Sequence, residues 1–430
     1  MKKLITFLLA GLPFFCSSQV SSIDKKETIA NVLEVLEARY IFPEIADSMT
    51  SYIKQKAQSG KYDTISTGAE FAFQLTSDLQ FISKDLHLKV QFDEQLQKEA
   101  DKAEDENTPG DKWAKSLMVE NNYGIKSKKI LDGNIGYLEM PLFGPLNLVA
   151  DSIRSAIHFI KNTDALILDL RSCRGSLDEN TIPFLCSYFF DEPTHLFDFY
   201  TRETSLTKQF WTYAWVPGEK YTNKPIYILT SGRTFSGGEE LAYDLKYLER
   251  AKIVGESTKG GANPTDYVRL NRYYSASVPY MRSINPVTKT NWEHSGVEPD
   301  IAVKSNIALY TAHVEALNYL NNAETNEYSR SRLKKVLQEV ESRKPEFRII
   351  EFKLKGYENA SNIFVAGSFN SWSAKDIRLK RENDYWIGRA ECELGEITYK
   401  FVVDGRWITD PENPLTVNDN GFENSLIIIQ

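Results

Sequence analysis

The chain is poor in the side chains that carry metal and redox chemistry. Its 430 residues hold four cysteines, five histidines and five methionines. Cys16, Cys173, Cys186 and Cys392 are far apart, without the close pairs that a zinc site or a disulfide framework needs. The three cysteines beyond the N-terminal segment are therefore expected to be buried free thiols, although an exporting compartment would permit disulfides. Basic charge is not in excess: 51 Lys and Arg face 59 Asp and Glu, a net charge of −8. That argues against a nucleic-acid partner. No internal apolar run is long enough to span a membrane, and there are no repeats or low-complexity tracts. What remains, at 42% hydrophobic residues, is a globular chain long enough for two or three domains.

Lys2 and Lys3 precede an apolar run from Leu4 to Phe15, followed by Cys16-Ser-Ser-Gln19. This reads as a secretory signal peptide over residues 1–18, cleaved after Ser18, because Ser18 and Cys16 supply the small residues that cleavage requires. The expected location is periplasmic or secreted. A lipid anchor on Cys16 is the less favoured alternative, since Phe15 is bulky where such signals want a small residue.

Residues 19–92 read as a helical domain. Ile29, Val32, Leu33, Leu36 and Tyr40 make one stripe, Pro43 breaks it, and further helices are expected over 44–57 and 67–83. The stretch Ile82–Phe92 carries His87 and ends in strand-like alternation. Residues 93–124 are a charged connector, read as solvated helix and loop. From 125 to 305 the pattern is strand and helix in turn, with strands at Gly133–Met140 and Ala165–Leu170, a layered α/β core. Residues 306–346 read as two helices forming a linker. Residues 347–430 read as a separate all-β domain.

Within the core, Tyr227-Ile-Leu-Thr-Ser-Gly-Arg-Thr-Phe-Ser236-Gly-Gly-Glu-Glu240 reads as strand, sharp turn, serine, helix. Ser231-Gly232 supplies the turn, and Leu241, Ala242, Leu245 and Leu248 recur at helical spacing. Ser236 thus stands where a helix begins. Unpaired N–H groups and the positive end of the helix dipole there suit a nucleophile whose attack creates an oxyanion. A plain helix N-cap is the structural alternative.

Five motifs occur in order: Gly133-Asn-Ile-Gly-Tyr-Leu, Asp169-Leu-Arg-Ser-Cys-Arg-Gly175, Thr234-Phe-Ser236-Gly-Gly-Glu239, Val254–Pro264 and Gly296-Val-Glu-Pro-Asp-Ile301. Over about residues 22–304 the chain resembles the tail-specific (C-terminal-processing) serine peptidases, in the branch similar to interphotoreceptor retinoid-binding protein and tricorn protease. The resemblance implies a ClpP/crotonase-like α/β core behind a small helical N-terminal domain. It implies Ser236 as nucleophile, His87 as general base, Glu293 as the acid that orients it, and Gly175 and Gly237 as oxyanion-hole donors. A hydroxyl needs a base, and the base needs a carboxylate. Such a base implies activity rising through a histidine-like pKa of roughly 6 to 7.

A serine–lysine dyad is the rival mechanism. Lys259 lies two residues away from the lysine position of that branch, and the interval from His87 to Gly133 is too short for a PDZ domain of ordinary size. Three residues depart from the family pattern: Ser176 in place of a second glycine, Cys173 in place of asparagine, and Leu86 in place of serine. Ser176 is expected to stiffen the oxyanion loop.

In the last segment, Asp404-Gly405 is a two-residue hairpin signal. Counting outward pairs Val402 with Trp407 and Phe401 with Ile408. Tyr399, Phe401 and Ile408 then share one face, and Lys400, Val402 and Trp407 share the other. Together with Val365–Trp372, Asp410–Pro414 and Gly421–Asn424, this resembles the glycogen-binding domain of AMP-activated protein kinase β subunits. The resemblance implies an immunoglobulin-like β-sandwich with Trp372, Lys400, Trp407 and Asn424 as glucan contacts.

The sequence thus points to an exported serine endopeptidase with an appended glucan-binding-like module. The expected partners are a peptide substrate and an α-glucan, with no metal or organic cofactor. The alternatives from other classes are an inactive binding protein on the same core and a carbohydrate-surface adaptor.

Overall fold

The computed structural model describes residues 22–93, 109–370, 372–419 and 422–430. The expected signal peptide with Cys16, and residues 94–108 of the charged connector, lie outside them.

Helices α1 (Ser22–Arg39), α2 (Pro43–Gln58) and α3 (Gly68–Ser83) open the described chain. Pro43 takes the first turn of α2, where its missing N–H is not needed. The Thr67 hydroxyl caps α3 by accepting from Glu70 N–H, and Lys84, at φ 59°, ends it. Val32, Leu36, Met49, Ile53, Phe71, Leu75 and Leu79 bury together, and the same cluster takes in Tyr274, Ala276 and Val278 from far along the chain. Strand β1 (Lys89–Phe92) follows α3, then α4 (Pro109–Glu120).

The central unit contains β2 (Ser127–Leu131), β3 (Ile135–Glu139), α5 (Leu146–Ile160), β4 (Ala165–Asp169), α6 (Thr181–Cys186), β5 (His195–Thr201), β6 (Leu206–Trp211) and β7 (Ile226–Thr230). It continues through α7 (Gly237–Tyr247), β8 (Lys252–Gly255), β9 (Thr265–Arg269), β10 (Tyr274–Pro279), β11 (Met281–Ile284) and β12 (Ile301–Ala302). One six-stranded sheet runs β12-β8-β7-β4-β3-β2. It is parallel from β3 to β12, with β2 as an antiparallel edge.

Alternation along the strands divides the core. Leu166, Leu168, Ile226 and Ile228 face α5, α6 and α7. Ala165, Ile167, Tyr227 and Leu229 face α8 (Ala308–Ala323) and α9 (Glu327–Glu341). The segment expected as a linker therefore supplies the second cover of a sheet buried on both faces, which is why β4 and β7 read as unbroken apolar runs. Smaller sheets β11-β5-β6 and β1-β10-β9 flank this layer. In the second, β1 pairs antiparallel with β10, Lys89 opposite Ser277 and Phe92 opposite Tyr274, which stitches the helical domain to the core.

The last unit holds β13 (Phe347–Lys355), β14 (Ile363–Gly367), β15 (Ile377–Arg378), β16 (Lys380–Glu382), β17 (Tyr385–Glu393), β18 (Gly395–Val403), β19 (Arg406–Ile408), β20 (Thr416–Asp419) and β21 (Phe422–Ile429). Its two sheets, β13-β17-β16 and β15-β14-β18-β21-β20 with β19 on β18, enclose Phe352, Leu354, Val365, Trp386, Tyr399 and Phe401. The hairpin register is the one counted from Asp404-Gly405: Phe401 opposite Ile408, Val402 opposite Trp407, Val403 opposite Arg406. Cys173, Cys186 and Cys392 are buried free thiols.

Candidate active site

Ser236 ends the turn between β7 and α7. That turn is tied to the end of β4. Thr234 Oγ1 accepts from Ser231 N–H at 3.0 Å and donates to Leu170 O at 2.8 Å. Ser231 Oγ donates to Arg171 O at 2.6 Å, and Phe235 N–H donates to Cys173 O at 3.0 Å. Held this way, Ser236 adopts φ 54°, ψ −121°, a conformation that costs a non-glycine residue about 1–3 kcal/mol and is found where a side chain must be presented.

The Gly175 loop lies against Ser236. A Cβ on Gly175, whose φ is +128°, would stand 3.0 Å from Ser236 Cβ and 3.5 Å from Gly237 N, and a Cβ on Gly237 would meet Ser176 N at 2.7 Å. Both glycines are thus required by close approach, and together they border the serine. Ser176 Oγ donates to Asp178 O at 2.7 Å, which fixes the loop at the position where a second glycine was missed.

Glu239 clamps the other side. Its fully buried carboxylate accepts from Ser236 N–H at 2.8 Å, Gly261 N–H at 3.0 Å, and Thr258 Oγ1 and Gly260 N–H, both at 2.6 Å. Burial pushes its carboxyl up, opposed by these bonds.

His87 enters from the helical domain, two residues before β1. Asp85 shapes its approach: Oδ1 accepts from His87 N–H at 3.0 Å, while Oδ2 accepts from Asn263 at 3.1 Å and Tyr40 at 3.3 Å. The His87 ring stacks on Phe235 at 4.4 Å. Glu293 Oε2 accepts from Ala262 N–H at 2.5 Å. One ligand atom each from Asp85, His87 and Glu293 lies within 4.8 Å of the others. This set could present donor atoms to a cation, but Asp85 and Glu293 already accept the protein donors just named.

His87 Nδ1 and Glu293 Oε1 are both buried without a hydrogen-bond partner. Burial, and then Lys89 and Lys259, lower the His87 pKa to about 3. Burial, and then Asp85, raise Glu293 to about 8. His294, beside it, is 53% exposed. Lys259 is exposed and sits 4.9 Å over Phe235 on its own account. Ser236, His87, Gly237, Gly261, Glu240 and Trp292 line a single cleft of about 470 Å³.

In the β domain, Trp372 and Trp407 rings stand 6.3 Å apart at 44°, with Trp407 43% exposed. Lys400 projects from the same strand face as Val402, opposite Trp407. Ser425 lies opposite Tyr399, so Asn424, one residue earlier, falls on the same sheet face as Lys400, where it is 5% exposed. The domain docks on the central unit through Arg233, which donates to Asn370 O at 2.8 Å and pairs with Asp376 at 3.3 Å. A second tie is Lys304 to Glu391 at 2.9 Å.

Comparison with known proteins assigns these parts. The model for peptidase family S41 matches residues 134–303, and that for its N-terminal domain, as in eukaryotic IRBP, matches residues 23–121. The central unit is a peptidase family S41 domain. S41 peptidases are serine-type hydrolases. The glycogen recognition site of AMP-activated protein kinase matches residues 350–430. The β-2 subunit of that kinase from Mus musculus is 38% identical over 73 residues, 17% of this chain and 27% of the subunit. PTST homolog 2 of Arabidopsis thaliana is 38% identical over 71 residues, 16% of this chain and 13% of that protein. The chain thus spans about a quarter or less of the length of these two relatives. Among solved structures, a Streptococcus agalactiae lipoprotein aligns with 73% of this chain and 99% of its own, at TM-score 0.49 and 16% identity. The photosystem II D1 C-terminal processing protease aligns over 67% and 95%, at TM-score 0.44 and 14% identity.

Of the residues singled out from sequence, Ser236, His87 and Gly237 line one cleft, Gly175 borders Ser236 and Glu293 lies near His87, while Asp85 and Glu239 had been given no role. Glu239 had a signal: a serine followed three residues later by glutamate at a helix start is a capping box. Asp85 had none, because its partners Tyr40 and Asn263 are distant in the chain.

Proposed function

We propose that this chain is an exported serine endopeptidase in which Ser236 attacks the peptide carbonyl, His87 is the base and Glu293 orients it. The observation that carries this reading is the meeting of Ser236, strained at a helix start, with His87 in one cleft, His87 being backed by buried acids. Ser236 Oγ adds to the carbonyl carbon as its proton passes to the His87 ring. The carbonyl oxygen becomes an oxyanion received by the N–H groups of Gly175 and Gly237. Collapse breaks the C–N bond, the amine leaves with the proton from His87, and water then hydrolyses the acyl-serine by the same path.

In the resting site, His87 Nδ1 and Glu293 Oε1, the latter 3.7 Å from His294 Nδ1, make no hydrogen bond and are a donor and an acceptor. Their pairing orients the ring as the substrate closes the cleft, and such bonds are commonly loose before substrate binds. Lys259 is directed to the Phe235 ring, which favours the histidine mechanism over a dyad. The β domain supplies an α-glucan contact through Trp372, Lys400 and Trp407, an indole face against the sugar ring and polar groups on its hydroxyls.

A serine-reactive phosphonate should label the wild-type chain on Ser236 and leave Ser236→Ala unlabelled. Peptide cleavage should fall about a thousandfold or more in Ser236→Ala. Undiminished cleavage by pure Ser236→Ala would refute the assignment.

A further inference from the structure

The cleft carries a feature that the Ser-His-Glu reading leaves unused. Glu240 follows Ser236 by one helical turn, its N–H donating to Ser236 O at 2.9 Å, and it lines the cleft beside Phe199, Ile182, Met281 and Trp292. Asp244 lies one turn further along α7. Glu240 is 7% exposed and Asp244 is fully buried.

Donors to these two carboxyls are scarce. Ser283 Oγ donates to Glu240 Oε1 at 2.8 Å and Asn285 Nδ2 to Asp244 Oδ1 at 3.1 Å. Asp244 Oδ2 is buried without a partner, and Glu240 Oε2 has none among the described residues. Among the described residues no cation balances the pair. Arg282, next to Ser283 on β11, projects from the other face of the strand and lies 5.7 Å over the Tyr200 ring. Lys246, on α7, pairs with Asp300. From α6 the pair is faced by the buried Cys186 thiol. The other acids lining the cleft are already satisfied: Glu179 pairs with Lys208, and Asp178 accepts from Leu146 and Asn180.

We propose that Glu240, backed by the buried Asp244, forms the floor of a side-chain subsite that takes a lysine or arginine adjoining the scissile bond. Two buried carboxyls one turn apart cannot both ionise without a countercharge, so the empty subsite holds a proton. Burial accordingly raises Glu240 to about 8, and raises Asp244 well above its ordinary range with Glu240 contributing. An entering ammonium or guanidinium supplies the missing charge and donors, and the proton leaves to solvent. An apolar side chain of equal length leaves the acid neutral and its free oxygen unpaired, and an acidic one is repelled.

The inference rests on Ser236 as nucleophile only for its reference to the scissile bond, and its test does not need catalysis. The full chain carrying Ser236→Ala is titrated by calorimetry at pH 7 with capped pentapeptides that differ at one residue: lysine, norleucine or glutamate. The lysyl peptide should bind at least about tenfold more tightly than the norleucyl one. It should also release a proton, read as a dependence of the heat on the buffer's ionisation enthalpy, where norleucine releases none. Adding Glu240→Gln should abolish both differences while leaving norleucyl affinity within about threefold, a sign that the cleft is intact. The lysine-to-norleucine comparison stands alone if that variant does not fold. Equal affinities, no binding of the lysyl peptide at millimolar concentration, or a lysine preference that survives Glu240→Gln overturns the proposal. A wild-type chain that resists the phosphonate but keeps the proton-linked lysine preference refutes the nucleophile and leaves the subsite standing.

Discussion

Arg233, on the turn that ends in Ser236, donates from Nη1 to the backbone carbonyl of Asn370 in the β domain at 2.8 Å. Asn370 is two residues before Trp372, and its own amide donates to Val365 O and Ser373 O, both at 3.2 Å. The turn of the peptidase unit and the tryptophan loop of the β domain are therefore direct neighbours.

Arg233→Ala should loosen this docking. Its pair with Asp376 is more than a third exposed on both sides, so the stability loss should be small, about 1 kcal/mol or less. Small-angle scattering should show a larger radius of gyration, and proteolysis should cut more readily between Ser342 and Glu346. An unchanged scattering curve would count against Arg233 as a main tie.

Glu239→Ala removes the acceptor of four hydrogen bonds in a fully buried position. The stranded donors should lower stability by about 2–4 kcal/mol, measured by urea unfolding. Activity should be lost even at temperatures where the variant remains folded, because the Ser236 turn and the Thr258–Gly261 loop lose their common anchor.

The pH profile should differ from the histidine-like rise expected from sequence. His87, depressed to about 3 by burial, stays neutral and able to accept a proton across the working range. In the proposed mechanism Glu293, raised to about 8, is the group that must ionise to orient it. kcat/KM should therefore rise through a pH of about 8, and Glu293→Gln should flatten that limb. Stability should move oppositely. The contribution of this raised carboxyl is complete below its ordinary value of 4.5 and is lost as pH climbs toward 8, so wild type should lose melting temperature over that window more steeply than Glu293→Gln.

Trp407→Ala should remove the tryptophan-fluorescence response to maltoheptaose without unfolding the β domain. The side chain is 43% exposed, so its loss opens no core cavity. Asn424→Ala, at a buried position on the face that carries Lys400, should lower the melting temperature and also weaken glucan binding, read on the folded fraction. Unchanged glucan affinity in folded Asn424→Ala would remove Asn424 from the contact set.

Local signals carried much of the architecture. The stripe of Ile29 to Tyr40, the turn before Ser236 and the Asp404-Gly405 hairpin all rest on short-range periodicity or turn chemistry, and these are visible in a single chain. Partner choice was not visible. Nothing in Lys89–Phe92 says that it will pair with Tyr274–Pro279, yet that pairing is what carries His87 to Ser236. The charged helix α9 looked like a connector because its exposed face dominates its composition, while Leu337 and Val340 reach the sheet. The burial of Asn424 on the Lys400 face was not visible either, because it depends on strands that pair at a distance. The lowered His87 and raised Glu293 values come from burial, which residue identity does not give.

Phe235 is the residue on which these parts of the cleft converge. Its N–H holds the carbonyl beside the Gly175 loop, its ring is the shelf for His87, and its carbonyl carbon is bonded to the Ser236 nitrogen. The proposed attacking group, base and oxyanion cradle thus hang from one hinge pin. A displacement of that ring misaligns all three together, so loss of function in this chain should come as a step, with no graded series of weakened enzymes between the competent form and a folded, silent one.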